Sequence, residues 1–303
     1  MESDASITVE LRGGLANQLF QWATFETVWD PAWGPLRWDE RVISRPGLRG
    51  NELLRLGLVN NENVVQQSGG VALFWNLTRF APARVRGYLT NRAPVRRPAG
   101  SKHLLTERNF AIPISCKGHW WARGYFQDPR VFTSERSRIR DQLRQHLEQR
   151  VDSDAAQVTA DYAAVHVRRG DYVAVARNAQ RLGICSPDYF TAAVNDLTQS
   201  LPVKVVSDDP EWCRTTLKPR LGRDVEIVNS GSDLADLLIL MRSSEIVLSN
   251  STFSWWGAFC SEARLIVAPS KWFDAEDAGG HHLPTLAHIL RDKSTGSLAV
   301  TAG

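Results

Sequence analysis

The stretch Tyr162-Ala-Ala-Val-His-Val-Arg-Arg-Gly-Asp-Tyr172 joins an apolar run to a charged turn. The near-continuous apolar pattern predicts a strand over 162–168, of the kind buried on both faces of a parallel sheet. Arg168 and Arg169 then arrive where that strand ends. Open α/β sheets bind ligands just beyond the carboxyl ends of their strands. A guanidinium there offers a flat fork of donors that matches a phosphate in a bidentate way. Gly170 lets the backbone turn sharply. Asp171 supplies an acceptor that holds an arginine in place or serves a sugar or base. In isolation such a pair also reads as a surface Arg-Arg neutralised by Asp171; the rest of the chain turns the reading toward a ligand.

Working outward, strand-like and helix-like segments alternate through the second half. Strands are predicted at 203–207, 224–229, 245–249 and 264–268, and helices near 187–200, 210–217, 233–243 and 252–262. Pro187, Pro210 and Asp233 stand near helix starts, where proline at the first helical position and acidic caps belong. Such alternation implies a parallel sheet covered on both faces, a Rossmann-like domain. In the first half, 6–12 alternates as a strand, Gly13-Gly14 turns, and a helix follows from Leu15 to Trp29. A further amphipathic helix is predicted from about Pro129 to Gln149. The segment 150–160 reads as a linker. The expected organisation is an N-terminal lobe over 1–155, a C-terminal lobe over 156–292, and a flexible tail over 293–303.

Composition sets bounds on this reading. The chain has 303 residues, 43 % hydrophobic and 23 % charged, an ordinary globular balance that fits one large or two ordinary domains. A formal net charge of +3 argues against a nucleic-acid binder driven by bulk charge. No apolar run approaches the roughly 20 residues of a transmembrane helix, and the acidic start Met1-Glu-Ser-Asp lacks a signal core. A soluble cytoplasmic protein is expected. Cys116, Cys185, Cys213 and Cys260 are widely spaced without a C-x-x-C pair, against a metal cluster and toward free thiols. The sequons at Asn76 and Asn250 carry little without a secretion signal. Trp29, Trp33, Trp38, Trp120 and Trp121 read as platforms for sugar rings or as core packing.

Four segments converge on one kind of site. Gly13-Gly-Leu-Ala-Asn-Gln-Leu-Phe-Gln21 exposes a helix N-terminus, whose free N–H groups and dipole favour anions. Asn17 and Gln18 offer hydrogen bonds to a sugar or nucleotide. The second segment is His166-Val-Arg-Arg-Gly-Asp-Tyr172, with His166 on the same side of the strand as Arg168, reaching a base or ribose or sitting as a satisfied core histidine. The third, Val206-Ser-Asp-Asp-Pro-Glu-Trp-Cys213, closes a strand with Asp208 and Asp209. That pair reads as acceptors for ribose hydroxyls or guanine N–H groups, as Mg²⁺ ligands through phosphate, or as a helix cap. The fourth, Leu248-Ser-Asn-Ser-Thr-Phe-Ser-Trp-Trp-Gly-Ala258, crosses from a strand end into a helix start with hydroxyls and amides suited to an anion. A nucleophilic-serine reading lacks a Gly-x-Ser-x-Gly elbow. The ligand implied is a diphosphate bearing a nucleoside and something polar.

These four segments, in order and spacing over about residues 7–270, resemble the α-1,2-fucosyltransferases of glycosyltransferase family 11, in particular their soluble bacterial members. The resemblance implies a GT-B architecture of two facing Rossmann-like domains, with GDP-β-L-fucose bound in the cleft. It implies transfer with inversion to the 2-hydroxyl of a terminal β-galactoside on an oligosaccharide or lipid-linked glycan. It implies no cofactor and no essential metal, which weakens the Mg²⁺ reading. By similarity Arg168 contacts the diphosphate, Asp208 the nucleoside, Ser251 and Thr252 the phosphates, and Asn17 the fucose. Gly14, Gln18, His166, Arg169, Asp209, Asn250 and Phe253 complete the expected donor site. Ala16 departs from the family's usual glycine and Trp22 from its usual tyrosine.

Arg168, Asp171 and Asn17 are the expected catalytic residues, Asp171 either accepting the acceptor's proton or orienting an arginine. The competing readings are a fucosyltransferase of another linkage, α-1,6 or protein O-fucosyl, and a non-catalytic GDP-sugar- or glycan-binding relative. Residues 30–120 are expected to shape acceptor choice. Arg84, Arg86, Arg92, Arg96 and Arg97 read as a peripheral contact with the inner membrane face or as a solvated basic loop.

Overall fold

Two parallel sheets organise the chain. The structure, a computed structural model, describes residues 5–45, 48, 50–66, 101, 103–110, 118–151, 161–274 and 283–299. The Asn76 sequon, the five arginines between 84 and 97, Cys116 and most of the expected linker lie outside the described residues. No helix among the described residues is long and apolar enough to cross a membrane.

The chain divides into two compact units, Met1–Ser134 and Glu135–Gly303. The first holds β1 (Ala5–Glu10), β2 (Leu36–Asp39), β3 (Val64–Val65), β4 (His103–Leu105) and β5 (Gly118–Arg123), in the order β3-β2-β1-β5-β4. All pairs are parallel. The central β1 is buried along its length, and the helix Leu15–Val28 follows it through a glycine turn. Trp29, Trp38 and Trp121 are core side chains, and Trp120 stacks on His103 at 4.6 Å between centroids. Packing accounts for the three buried rings, and Trp120 stays partly exposed.

The second unit holds β6 (Ala163–Val167), β7 (Val203–Ser207), β8 (Glu226–Ile227), β9 (Glu245–Val247), β10 (Leu265–Pro269) and β11 (Ile289–Arg291). Their order, β11-β10-β9-β6-β7-β8, is parallel throughout and doubly wound. The chain runs from β6 to one side, then returns to the other side at β9. Ligands of such sheets bind at that reversal. Tyr189, Phe190, Val194 and Val205 fill the core beside the central strands.

Two expectations are corrected. The helix Arg136–Glu148 belongs to the second unit, so the boundary falls at 134/135 rather than 155. Its apolar stripe of Ile139, Leu143 and Leu147 is fully buried. Arg136 donates to the carbonyls of Phe259 (2.6 Å) and Ser261 (2.9 Å), and Arg242 pairs with Glu148 at 2.7 Å. The tail is also built in as far as residue 299. Lys293 is buried against Asp274 at 2.8 Å, and Ala299 N–H donates to Leu290 O at 2.9 Å, next to an antiparallel bridge from Leu298 to Arg291.

The helices Asp233–Arg242 and Thr252–Phe259 approach closely at Gly257, where an added Cβ would lie 2.5 Å from Leu240 Cβ. Gly257→Ala is therefore expected to lower unfolding free energy by about 1–3 kcal/mol, as overpacking does. Urea titration checks it, and a change below about 0.5 kcal/mol would contradict this close approach.

Candidate active site

At the carboxyl end of β6 two guanidiniums are held by three carboxylates. Arg168 forms ion pairs with Asp171 and with Asp208, the latter at 2.9 Å. Arg169 donates its backbone N–H to Asp208 Oδ1 at 2.8 Å, and its Nε–H to Asp209 Oδ2 at 3.1 Å. Its guanidinium lies over the Trp212 indole, 3.9 Å from the centroid, a cation–π contact that fixes the fork's plane. Asp209 also caps the next helical turn, accepting from Trp212 N–H at 3.1 Å, while its own N–H donates to Ser207 Oγ at 2.9 Å. Register explains the meeting. β6 pairs with β7 so that Val167 lies beside Ser207, and the residues that follow both strands emerge together. Gly170 leaves room for Asp208, since a Cβ there would lie 2.5 Å from Asp208 Oδ2.

The loop after β9 is tied to the same place. His166 Nδ1 and Ser249 Oγ share a hydrogen bond of 2.7 Å, and Tyr172 O–H donates to Asn250 O at 3.1 Å. Ser251 caps the helix Thr252–Phe259 by accepting from Phe253 N–H at 3.3 Å. Ser254 Oγ–H is within reach of the carbonyls of Ser249 (3.0 Å) and Ser251 (2.9 Å), which sets the shape of the turn. Thr252 and Phe253 remain partly exposed at the helix start. The site thus combines two oriented guanidinium forks with the amide end of a helix at the sheet's reversal point, a combination suited to an anion.

Several expected ligand contacts also serve as parts of the frame. His166 is buried, and burial together with the nearby Arg168 pushes its pKa down to about 3, so the ring is neutral at pH 7. It is the satisfied core histidine. The Asn250 side chain is fully buried, donating to the carbonyls of Leu182 (2.8 Å) and Gly183 (3.1 Å). Asp208 is engaged by both arginines, so its carboxylate organises them while the residue itself stays exposed. Asp171 is likewise paired to Arg168.

In the first unit, Gly13 adopts φ +72°, and a Cβ there would collide with Asn17 Nδ2 at 2.4 Å. Gly14 is extended and precedes the helix, its carbonyl accepting from the N–H groups of Asn17 and Gln18. Gln18 is wholly buried: its amide donates to Gly13 O (3.0 Å) and Gly50 O (2.9 Å) and its oxygen accepts from Glu52 N–H (2.9 Å). It staples a loop and is withdrawn from ligand. Gln21 does similar work, from Arg12 N–H to the carbonyls of Glu10 and Gly124. Asn17 is partly exposed and accepts from Gln127 Nε2–H at 2.8 Å. Sequence reasoning missed Trp212, Tyr172 and Gln127. Trp212 carried a signal, its place one helical turn after Asp209.

The chain thus carries two parallel-sheet units of the Rossmann-like kind, with an oriented arginine pair at a strand end of the second. The description "Glycosyl transferase family 11" matches residues 101–280, and the chain belongs to that family. An alpha-1,2-colitosyltransferase of Escherichia coli is 27 % identical over 89 % of this chain and 93 % of its own length. A galactoside 2-alpha-L-fucosyltransferase, Sec1 of Mus musculus, is 35 % identical over 32 % of this chain and 28 % of its own. A solved structure of the NodZ alpha-1,6-fucosyltransferase soaked with GDP-fucose aligns with 86 % of this chain and 93 % of that one, at 14 % identity and a TM-score of 0.45.

Two outcomes follow from the geometry. Between the ordinary histidine value of 6.5 and about 3, the unfolded chain binds the His166 proton and the folded chain does not. Stability from this group is complete above pH 6.5 and falls as pH drops through that window. His166→Gln, which keeps a partner for Ser249, should flatten the fall; an unchanged slope in pH-dependent unfolding would contradict a buried neutral ring. Gly170→Ala should displace Asp208 and lower kcat/KM about tenfold with little change in Tm, the signature of a misaimed group; unchanged kinetics would deny the clamp a role.

Proposed function

We propose that this chain is an inverting galactoside 2-α-L-fucosyltransferase. It moves fucose from GDP-β-L-fucose to the 2-hydroxyl of a terminal β-galactoside on a free or lipid-linked glycan. The observation that carries the reading is the Arg168–Arg169 pair, oriented by Asp208, Asp171 and Asp209 beside the start of the helix Thr252–Phe259. Relatives named for α-1,2 transfer support the linkage.

Glycosyl transfer passes through an oxocarbenium-like transition state. Positive charge grows on the sugar while negative charge grows on the departing diphosphate. Arg168, Arg169 and the amides at Thr252 and Phe253 are the groups that would receive that charge. Donors aimed where charge develops lower the barrier more than they tighten substrate binding. In this reading the leaving group's charge is met by guanidinium forks and helix amides, with no metal ion required. Asp171 serves as the residue that aims Arg168, and Asn17 stands as a contact to the transferred sugar.

A second donor is favoured by one observation: a relative matched over 89 % of this chain is named a colitosyltransferase. The reading then changes only in the sugar, which would be colitose carried on the same nucleotide.

The deciding assay gives the purified protein GDP-fucose or GDP-colitose with lactose in EDTA, and reads the linkage by NMR. An α-1,2-fucosyl product is expected. Product only from GDP-colitose would move the donor assignment, and transfer only with added Mg²⁺ would overturn the metal-free reading. Arg168→Lys should lose about a hundredfold in kcat, because a point charge cannot replace the fork; full activity would sink the bidentate role.

A further inference from the structure

The first unit also reverses its strand order once, between β1 and β5, and open α/β sheets bind ligands outside the carboxyl ends of strands at such a reversal. Glu10, the last residue of β1, is in register with Asp39 of β2 on one side and Arg123 of β5 on the other. Its side chain is wholly buried. Arg12 and Arg123 both form ion pairs with it, Arg123 at 3.2 Å. Arg41 and Arg45, from the turn after β2, act electrostatically on the same carboxylate. Asp39 is taken up by Arg41 in a two-bonded pair of 2.8 and 2.6 Å. Glu40 is held by Asn51 at 3.0 Å.

Among the described residues, then, four guanidiniums gather around Glu10 and Asp39, with an excess of cationic charge. Three keep access to solvent, with side-chain exposures of 28 % for Arg12, 21 % for Arg41 and 46 % for Arg123. Arg12 Nε–H is without a hydrogen-bond partner among the described residues. Arg123 lies 5.4 Å from the Trp121 ring centroid, so its fork is partly pre-oriented. Crowding guanidiniums into a partly buried place costs repulsion and desolvation that an entering anion offsets. The arginines after β6 differ, since Arg168 and Arg169 are outnumbered by Asp171, Asp208 and Asp209. The surplus charge lies at the carboxyl ends of the first unit's strands, where Arg12 leads into the Gly13-Gly14 turn.

We propose that this arginine cluster is an oxyanion subsite for the acceptor, taking a phosphate or carboxylate group carried by the glycan that receives the sugar. Guanidinium forks match both groups in the same bidentate way. The two sources are a diphosphate joining the glycan to a lipid carrier and a uronate within the glycan. This inference rests on the proposed glycan-directed transfer.

The test compares initial rates on three acceptors ending in the same β-galactoside: one neutral, one with a neighbouring uronate, one carrying a diphosphate at its reducing end. One anionic acceptor should show a KM about tenfold below the neutral one at similar kcat, an advantage that shrinks with added salt. The better arm identifies the source. Arg123→Gln should bring the KM ratio close to one while leaving the KM for GDP-fucose in place, and Arg123→Lys should retain part of it. Equal KM for all three acceptors would overturn the subsite, as would a rise in donor KM alone in Arg123→Gln. If none of the three is glycosylated, the functional reading fails first. Calorimetric titration of inorganic diphosphate and of galacturonate into wild type and Arg123→Gln then decides the subsite by itself, and equal binding by both proteins would remove it.

Discussion

Asp208 is the group on which the candidate site depends. Two adjacent guanidiniums at a strand end repel each other and are free to rotate unless something fixes them. Asp208 takes the Arg168 guanidinium by its carboxylate and Arg169 by its backbone N–H, so one carboxylate sets the first fork and anchors the turn that carries the second. Register between β6 and β7 brings it there, and the missing Cβ of Gly170 gives it room. Asp209 and the Trp212 face then fix the plane of Arg169. Orientation achieved before substrate arrives costs nothing at the moment of reaction, which is the physical advantage of such a clamp. Because carboxylates outnumber guanidiniums there, any attraction for the proposed donor's diphosphate rests on aimed N–H groups and not on bulk charge, in keeping with a chain of net charge +3.

Around the clamp, the motif residues divide into those presented and those that hold the frame. Arg168, Arg169, Thr252 and Phe253 keep some exposure. His166, Asn250 and Ser251 are buried and spend their polar atoms on neighbouring loops. Asn250 binds the carbonyls of 182 and 183, Lys293 reaches Leu182 O at 2.9 Å, and Ser186 N–H donates to Lys293 O at 2.8 Å. The stretch around Lys293 is thereby part of the support beneath the helix start at Thr252. In the first unit Gln18 and Gln21 do equivalent work. Buried amides must be satisfied, and here their partners are loop carbonyls that no helix or sheet ladder could reach.

The electrostatics of the two strand-end regions differ in kind. The arginines after β6 are matched by acids that steer them. Those around Glu10 exceed their acids, and a buried carboxylate gathers them into one place. Under the proposed function both patterns have a use: directed donors where charge develops during reaction, and surplus charge where a substrate is only to be held.

The sequence by itself determined the doubly wound second unit, the four motifs and the family resemblance. β7 spans Val203–Ser207 as read, and β6, β9 and β10 lie within about two residues of their expected limits. These strands are buried on both faces, so composition and caps announce them directly. The strands β2, β3, β4 and β5 were not legible, because they are only partly buried and mix apolar with polar residues, so no continuous apolar run marks them. The helix Arg136–Glu148 was visible as a helix, but its place in the second unit rests on contacts to residues more than a hundred positions away. Which motif residues face a ligand was likewise a tertiary matter. Hydrogen bonds such as Gln18 to Gly50, Asn250 to Leu182 and Asp208 to Arg169 join distant parts of the chain. Local sequence fixes what a side chain can do; only the packing of distant segments decides whether its polar atoms are already spent.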